Sequence, residues 1–549
     1  MNYKILPFLS LALISILFDN LTPAIAQQSA PNFTITTKFN PAEHSVVCKT
    51  IIENPGDNIF MLTNGMVISK ISADGKKVAV QKQFVKSWNN SNQYVMKAPI
   101  PGRLVIEYSG KILADSFPKT INSINMVDTG LVELSNYIDW IPRMKNFKSF
   151  IYTLQVELPR NWKTITTGKI KSEKNGKGFS RTVWTSVKPG YSLTIISAPH
   201  FETVKVSDSK NSVQIFYSEL PKSYADSMCQ NLLLSFGMLT DLFGSAGASN
   251  VARIIYSPRS GGGYSRAPLI MVSEKYALDQ RHQKMGQARD FRLNTHEISH
   301  YWSKADAWTF EDWINEGLAE YTAFWISEKV CGKEFADMIM DEYHTMINNC
   351  PTDKPILEPN VAMMEREVNR YYKPTLLFND LCLKYGDEKI KAYLTDLYAA
   401  FVENKKATTA LLLEVTKKSL GDDAYNFLNE GLNRKNWNSD TTQKSKSIVL
   451  TDSTFIGTWT GPLSQFGTTF KFVFNLYVKD GILTPWLDSP DHNVKNIPVS
   501  DFYIEGDSIS FKVGAAAAIF NGKLDKENLV ISGVWNQKGA GFPLVLKKE

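Results

Sequence analysis

The sequence predicts a multidomain protein: an N-terminal all-β sandwich, a central α+β domain and a C-terminal small antiparallel β-barrel. Its 549 residues exceed what a single hydrophobic core normally serves. Short runs with two-residue alternation fill the first part of the chain, and apolar residues at helical spacing dominate the middle. Alternating runs return at the end. These observations set the fold class.

The first 26 residues have the pattern of a secretory signal peptide. Lys4 precedes an apolar run at 5–18, and Ala-Ile-Ala at 24–26 is a small-x-small cleavage site. The apolar run is shorter than the roughly 20 residues that a membrane-spanning helix needs. We therefore predict cleavage after Ala26 and export to the periplasm or the extracellular space. No integral membrane segment is expected in the mature protein.

Residues 27–205 read as a β domain. Short β-branched or alternating runs are separated by turn residues such as Asn-Pro-Gly-Asp at 54–57, Asp-Gly at 74–75 and Pro-Gly at 101–102. An all-β domain, most simply a sandwich, is expected here.

Residues 206–435 change from strands to helices. Beyond residue 287 the apolar residues recur with the 3.6-residue period of a helix. Strands followed by helices predict an α+β domain. The expected elements are strands at 213–218, 253–256 and 269–272 and helices at 224–243, 313–330, 375–385 and 390–401.

A polar stretch at 436–452 predicts a linker, and residues 453–549 return to strand patterns. Asp-Gly at 480–481, Glu-Gly at 505–506 and Asn-Gly at 521–522 are turns of hairpin type. We expect a closed antiparallel barrel or sandwich of about eight strands.

Charge and cysteine content exclude some classes of protein. Lys and Arg number 61 against 55 Asp and Glu, a net charge of +6, so nucleic acid is not the expected partner. Five cysteines are too few and too far apart for a disulfide framework. Cys331 and Cys350 flank a helical hairpin and can bridge, but a buried free thiol is the expected state of each.

The chemistry-bearing motif is His-Glu-Ile-Ser-His at 296–300, in a chain with only 7 histidines. Residues four apart on a helix lie one above the other, so His296 and His300 can bind one metal ion together. Glu297 is turned away from direct ligation but is close enough to take a proton from a metal-bound water. The alternative is a histidine pair on a solvated helix face.

A second motif, Trp-Ile-Asn-Glu-Gly at 313–317, begins 13 residues after His300. Glu316 is the expected third ligand, which leaves one position open for water or substrate. Glu320 is the fallback ligand if the register differs, and an acidic helix face is the plainer interpretation. Two imidazoles and one carboxylate indicate a single Zn²⁺ ion.

Together the two motifs resemble the gluzincin peptidases, and among them the membrane alanyl aminopeptidase group. The resemblance implies a thermolysin-like α+β catalytic domain over 206–435. A third match is Tyr-Tyr-Lys at 371–373, before a helix that ends at Gly-Asp, 386–387. It implies that Tyr371 donates to the oxyanion of the tetrahedral intermediate. Tyr372 is the alternative in register, and packing beside the helix is the alternative role for both.

This sequence departs from the family in the strand before the metal helix. Where the family has Gly-x-Met-Glu-Asn, this chain carries Gly262, Gly263, Tyr264, Ser265 and Arg266. The family glutamate that captures the substrate's N-terminal ammonium is replaced by Ser265, whose neutral hydroxyl cannot make that contact. We take 262–265 as candidate substrate-binding residues. The glycines at 261–263 indicate either an edge strand that pairs with peptide or a flexible loop.

The C-terminal region looks like a lipocalin-like β module found with secreted bacterial hydrolases, through Gly-Thr-Trp-Thr-Gly at 457–461 and Gly-Val-Trp at 533–535. Trp459 and Trp535 either line a ligand surface or plug the barrel. The sequence indicates no particular ligand for this domain.

The resemblance implies a secreted zinc metallopeptidase, aminopeptidase-like, that hydrolyses peptide bonds of a peptide or protein substrate through a zinc-bound water activated by Glu297. One alternative is a metallo-endopeptidase without N-terminal amine capture, as Ser265 suggests. The other is a catalytically silent secreted binding protein on a peptidase scaffold.

Overall fold

The computed structural model describes most of residues 30–549, which divide into two compact units with their boundary in the sequence between Phe201 and Glu202. The expected signal peptide at 1–26 lies outside the described residues, as does the expected linker at 436–452 except Trp437. In the described part, no helix has the length and apolar character needed to cross a membrane. The internal segments left out are 86–90, 114–123, 147–148, 246–248, 260–261, 282–284, 307–308, 351–352, 360–365, 436, 438–452, 466–467, 480–481, 493, 514–515, 517 and 538–539.

The N-terminal unit is rich in β-structure. Its strands β1–β16 are Asn32–Asn40, Ser45–Glu53, Ile59–Thr63, Val67–Ala73, Lys76–Lys77, Val80–Val85, Ser91–Met96, Arg103–Lys111, Met126–Val127, Val132–Leu134, Arg143–Met144, Ile151–Pro159, Lys163–Thr166, Lys169–Asn175, Phe179–Thr185 and Ile195–Ala198.

These strands form an eight-stranded sheet, β14-β15-β12-β1-β2-β8-β4-β5, and two four-stranded sheets, β13-β16-β10-β9 and β11-β3-β7-β6. Buried and exposed residues alternate along β1 and along its parallel neighbour β12, so one face of the large sheet lies in the core. Phe33 and Ile35 of β1 and the fully buried Trp140 belong to that core.

The central region combines a five-stranded sheet with helices, as an α+β pattern predicts. Its strands β17–β21 are Glu202–Ser207, Ser212–Tyr217, Val251–Ser257, Tyr264–Arg266 and Leu269–Ser273. In the sheet order β17-β18-β19-β21-β20 the three inner strands run parallel, while β17 and β20 pair antiparallel with their neighbours. The strand β20 therefore lies at one edge of the sheet.

Nine α-helices follow or interleave with these strands in the described residues. Helices α1–α9 are Lys222–Phe243, Glu274–Gln280, Gly286–Ser299, Asp312–Cys331, Lys333–Asn348, Lys373–Tyr385, Asp387–Glu403, Thr409–Leu420 and Asp422–Asn433.

Two details differ from the expected helices. The metal-motif helix α3 ends at Ser299, and a 3₁₀ turn, His300–Trp302, carries the second histidine. A five-residue π-helix, Val368–Tyr372, leads directly into α6. It was not expected from the sequence, because a one-turn change of backbone hydrogen bonding leaves the apolar period almost unaltered.

The C-terminal region forms a nine-stranded antiparallel sheet shaped as a half-barrel, with one strand more than expected. Strands β22–β30 are Gly457–Gln465, Thr468–Lys479, Ile482–Ser489, Val494–Pro498, Ser500–Glu505, Ser508–Val513, Ala518–Asp525, Val530–Gln537 and Ala540–Lys548. In the order β25-β24-β23-β22-β30-β29-β28-β27-β26, the two edge strands are not paired with each other in the described residues. The side chains of Trp459 and Trp535 are 0% and 3% exposed and belong to the core of this region.

All five cysteines are free thiols, so Cys331 and Cys350 form no bridge. Cys48 and Cys229 are buried as expected for unpaired thiols, whereas the other three are partly exposed.

Candidate metal centre

The two histidines of the motif approach each other through their outer ring nitrogens. The Nε2 atoms of His296, on α3, and His300, in the following 3₁₀ turn, are 3.1 Å apart. Each also lies 3.4 Å from Oε2 of Glu316, on α4. The structure thus brings together the three residues expected to bind the ion.

The spacing of these three atoms fits a tetrahedral metal ion. Nitrogen and oxygen ligands bound to Zn²⁺ at about 2.0–2.1 Å stand roughly 3.3–3.4 Å apart at tetrahedral angles. The observed separations of 3.1, 3.4 and 3.4 Å are close to that triangle. No other group of three or more His, Cys, Asp or Glu in the described residues has metal-binding spacing. These donors are suited to one Zn²⁺ with an open fourth position.

The neighbouring histidines favour the deprotonated form of the Glu316 carboxylate, which is the form that binds a metal ion. Burial alone would raise the pKa of Glu316, but His300 and His296 hold it well below its ordinary value. Burial lowers the pKa of His296 to about 4. At His300, burial is outweighed by the Glu316 carboxylate, which raises the pKa to about 9. An incoming cation would displace the proton from His300.

The other residues of the second motif position Glu316. The indole of Trp313 donates to Thr409 Oγ1 at 3.0 Å, anchoring the start of α4 to that of α8. The side chain of Asn315 accepts from Ala305 N at 3.0 Å and donates to Ala305 O at 2.9 Å, which ties down the loop that returns from His300.

Gly317 permits the close approach of a second segment. A Cβ at this position would lie 2.6 Å from Cβ of Pro374 and 3.3 Å from the carbonyl oxygen of Arg370. A larger residue would therefore push away the segment that carries Tyr371. In the Glu-Gly pair of the motif, Glu316 is the expected ligand, and the missing side chain of Gly317 leaves room for the segment that carries Tyr371.

Glu320, the fallback ligand, faces the other side of His296. Its Oε2 lies 2.7 Å from His296 Nδ1 but off the direction of a ring N–H, so the contact is electrostatic. Its Oε1 accepts hydrogen bonds from Arg292 on α3 and Tyr343 on α5. Glu320 is thus an outer partner of the histidine, while Ser303 Oγ is 3.1 Å from His300 Nδ1.

Glu297 is buried beside the three expected ligands. Burial raises its pKa to about 7, and the positive charges of His300 and Arg266 oppose that rise. A carboxyl group with a pKa near neutrality can both accept and return a proton. Its Oε1 would lie 3.0 Å from a Cβ built on Gly263, so the β20 end of the sheet adjoins this carboxylate.

The structure distinguishes the two tyrosines. The ring of Tyr371 stacks on that of His296, with centroids 5.7 Å apart and planes at 23°. Burial and the carboxylates of Glu316 and Glu297 raise its pKa well above the ordinary value, which keeps the hydroxyl protonated. Tyr372 instead stacks on Tyr343, with centroids 5.0 Å apart. Tyr371 is therefore the tyrosine that faces the centre.

The tyrosine-bearing π-helix is fastened to α4. Arg370 donates to Asp312 Oδ2 at 2.5 Å, and Arg366 lies 3.5 Å from the same atom. Burial raises the pKa of Asp312, while these arginines oppose the rise. Sequence reasoning missed Arg292, Asp312, Tyr343 and Arg370, because their roles depend on contacts between helices that no local spacing reveals.

Of the predicted substrate-binding residues, Gly262 and Gly263 precede β20 and Tyr264 and Ser265 lie on it. Of the two alternatives for 261–263, an edge strand or a loop, the strand is not found at Gly262 and Gly263: it is Tyr264–Arg266, and residue 261 lies outside the described part. Pairing with Leu269–Ser273 through a tight turn at 267–268 sets this register.

Comparison of the sequence with protein-family models and with curated proteins finds no match. Comparison of the structure with solved structures finds several matches. An M1 zinc metallopeptidase from Deinococcus radiodurans matches with a TM-score of 0.55 and 17% identity over 74% of this chain and 93% of that one.

Two further structures are point mutants of an M1 zinc metallopeptidase. One matches with a TM-score of 0.56 and 16% identity over 74% of this chain and 95% of the other. The second, from Deinococcus radiodurans and bound to a Tyr-Ser-Ala substrate, matches with a TM-score of 0.55 and 17% identity over 74% and 94%.

The chain shares the fold of the M1 zinc metallopeptidases. At this identity the likeness establishes the fold, and the chemistry has to be argued from the residues of this chain.

Proposed function

We propose that this protein is a zinc-dependent metallopeptidase that hydrolyses peptide bonds. The observation that carries the proposal is the triangle of His296, His300 and Glu316, whose ligand atoms are 3.1–3.4 Å apart with the carboxylate of Glu297 beside them. Its fold, shared with peptidases of which one binds a Tyr-Ser-Ala substrate, supports the same assignment.

When bound, Zn²⁺ would supply Lewis acidity that polarises the scissile carbonyl and acidifies water. Glu297 accepts the proton of the attacking water and passes it to the leaving amine, as its raised pKa of about 7 permits. Tyr371 donates its phenolic hydrogen to the developing oxyanion. Glu320 and Ser303 hold the two histidine rings so that their Nε2 atoms face the centre.

Aminopeptidase-like cleavage is the first candidate for the reaction, because the motifs of this chain resemble those of the membrane alanyl aminopeptidase group. One observation favours endopeptidase cleavage as the second: Gly262–Arg266 contains no carboxylate to bind a substrate ammonium.

We also propose that the protein is exported, on the strength of the pattern at 1–26, and that its C-terminal region is a lipocalin-like module. The nine-stranded antiparallel half-barrel, whose core includes Trp459 and Trp535, supports the second point.

Cleavage of a peptide pool, followed by mass spectrometry with and without a chelator, tests the proposal. Cleavage should stop with the chelator and return with added Zn²⁺. A folded, zinc-loaded protein that cleaves no peptide would contradict peptidase activity and favour the silent binding protein. N-acetylated and free-amine versions of one cleaved peptide separate the two candidates: equal rates would exclude aminopeptidase cleavage.

A further inference from the structure

Tyr371, the proposed oxyanion donor, lies in a wide helical turn. The backbone N–H of Lys373 closes the π-helix Val368–Tyr372 by donating to Val368 O, five residues earlier. Such turns are rare, and they occur frequently at functional sites. Since helical structure in proteins is stabilised mainly by tertiary packing, contacts with other segments should hold this turn in place.

Two side chains flank Tyr371 on this turn. Asn369 stands two residues before it and Lys373 two residues after it. Residues two apart on a helix point to different faces, whereas residues four apart share one. Asn369 and Lys373 therefore project together from one face, and Tyr371 projects from another, towards the ring of His296.

Both flanking side chains bind the backbone of one segment, 353–356. Asn369 Nδ2 donates to Pro355 O at 2.8 Å, and Lys373 Nζ donates to Lys354 O at 2.6 Å. The two hydrogen bonds join consecutive carbonyl groups of the segment to the two ends of the turn. The turn is thereby fastened at two points rather than one.

The two anchoring side chains are buried. Asn369 is 3% exposed and Lys373 is 1% exposed. A lysine is almost never buried so fully without partners, and this ammonium group also lies 3.2 Å from Asp353 Oδ1 and 5.8 Å from the centre of the Trp437 ring. Because a buried charge is unstable without its partners, the ammonium group fixes the distance between the turn and the segment.

The segment 353–356 is itself attached to the rest of the central region. Ile356 is buried in the central hydrophobic core, and Leu357 N donates to Leu432 O, in α9, at 3.3 Å. A further link runs from the turn to α4 through Arg370. Together these contacts hold the turn between the segment and α4, the helix that carries the expected carboxylate ligand.

We propose that Asn369 and Lys373 are positioning residues for Tyr371: by fastening the turn to 353–356, they place the phenolic hydroxyl where the oxyanion develops. Neither side chain is assigned a contact with the substrate. The inference rests on the proposed peptidase function and adds two residues that act only through Tyr371. A displacement of about 1 Å can lower a rate by about 100-fold, so loss of either anchor should reduce turnover.

A double-mutant experiment on the zinc-loaded full-length protein tests this role. Lys373→Met should lower kcat on one peptide by about 10- to 100-fold, with KM and zinc content within about twofold of the wild type. In a Tyr371→Phe background the same substitution should lower kcat by less than about threefold, because the hydroxyl that it would misplace is already absent. An equal loss in both backgrounds would overturn the inference, since a general loss of structure affects both alike.

Asn369→Ala repeats the test if Lys373→Met does not fold, because it leaves no carboxylate unpaired. It should show the same dependence on Tyr371 with a smaller loss of kcat, about 3- to 30-fold. The matched control is Lys384→Met, which removes a lysine of α6 that is paired with Asp423 and should leave kcat within about twofold of the wild type. Circular dichroism checks that each variant folds. Wild-type kcat in a folded Asn369→Ala variant would contradict the inference.

A spectroscopic experiment separates this inference from the peptidase proposal. Fluorotyrosine is introduced at position 371 alone, and its fluorine resonance is recorded in each variant. Stacking on the His296 ring should displace the resonance from that of the free amino acid; Lys373→Met and Asn369→Ala should move or broaden it, and Lys384→Met should not. These changes without peptide cleavage by the wild type would support the positioning role and contradict the peptidase proposal. An unchanged resonance in both folded variants would overturn the positioning role whether or not cleavage occurs.

Discussion

The two sides of the candidate site differ in the charged groups that lie against their buried polar atoms. On the helical side, Glu320 and Ser303 approach the inner nitrogens of the two histidines, and Asp312 is paired with Arg370. On the β20 side, the buried hydroxyl of Ser265 has no hydrogen-bond partner in the described structure. The helical side therefore carries opposite charges placed close together, which suits a metal ion and the proposed reaction, whereas Ser265 contributes a neutral group to the strand side.

The largest loss of zinc affinity should come from replacing the expected ligand Glu316, and the matched comparison is the outer partner Glu320. Glu316→Gln removes an anionic ligand, so its zinc affinity should fall by more than about 100-fold, measured by competition with a chromogenic chelator. Glu320→Gln, four residues along the same helix, should lower the zinc affinity by roughly 10- to 100-fold, because it disturbs only the orientation of His296. Circular dichroism checks that both variants fold. A larger loss in Glu320→Gln would reverse the assignment of ligand and outer partner.

The neighbouring tyrosines offer a second comparison. Tyr371→Phe should lower kcat by about 100- to 1000-fold with little change in KM and full zinc content, because one oxyanion donor is lost. Tyr372→Phe, whose ring packs on Tyr343, should remain within about threefold of the wild type. Steady-state kinetics of both variants on one peptide measure these changes. Equal losses of kcat in the two variants would refute a specific role for the Tyr371 hydroxyl.

The smallest effect concerns packing. Gly317→Ala places a methyl group 2.6 Å from Cβ of Pro374 and should destabilise the central region by about 1–3 kcal/mol. Gly237→Ala, inside α1 with nothing within 4 Å of the new Cβ, should stabilise it by about 0.5–1 kcal/mol. Denaturant unfolding midpoints should move in opposite directions. Movement in the same direction would show that the close approach at Gly317 is unimportant.

Local sequence patterns predicted α1, α3, α4, α6 and α7 and placed the candidate ligands, because ligation by His296 and His300 depends on spacing within one turn. They gave no position for α2, α5, α8 and α9. The same patterns predicted β-rich regions on either side of the central region, but not which strands pair. Strand partners such as the parallel pair β1 and β12 are far apart in sequence, and their pairing leaves no local signal.

The outer partners were missed for the same reason. The sequence alone allows Glu320 to be a ligand. In the structure its carboxylate instead accepts hydrogen bonds from Arg292 on α3 and Tyr343 on α5. The sequence alone shows that residue 265 is a serine, where the motif that this chain resembles has a glutamate. The buried, unsatisfied hydroxyl of Ser265 became visible only once the turn at 267–268 had fixed the register of β20.

The proposed peptidase activity requires zinc held by His296, His300 and Glu316, with Glu297 as the proton acceptor. Its most direct test is to measure zinc content and peptide hydrolysis together in the wild type and in Glu297→Gln. The variant should bind one zinc ion per chain like the wild type and lose at least about 1000-fold in kcat, because it cannot accept the proton of the attacking water. Wild-type turnover in a zinc-loaded Glu297→Gln protein would contradict the mechanism.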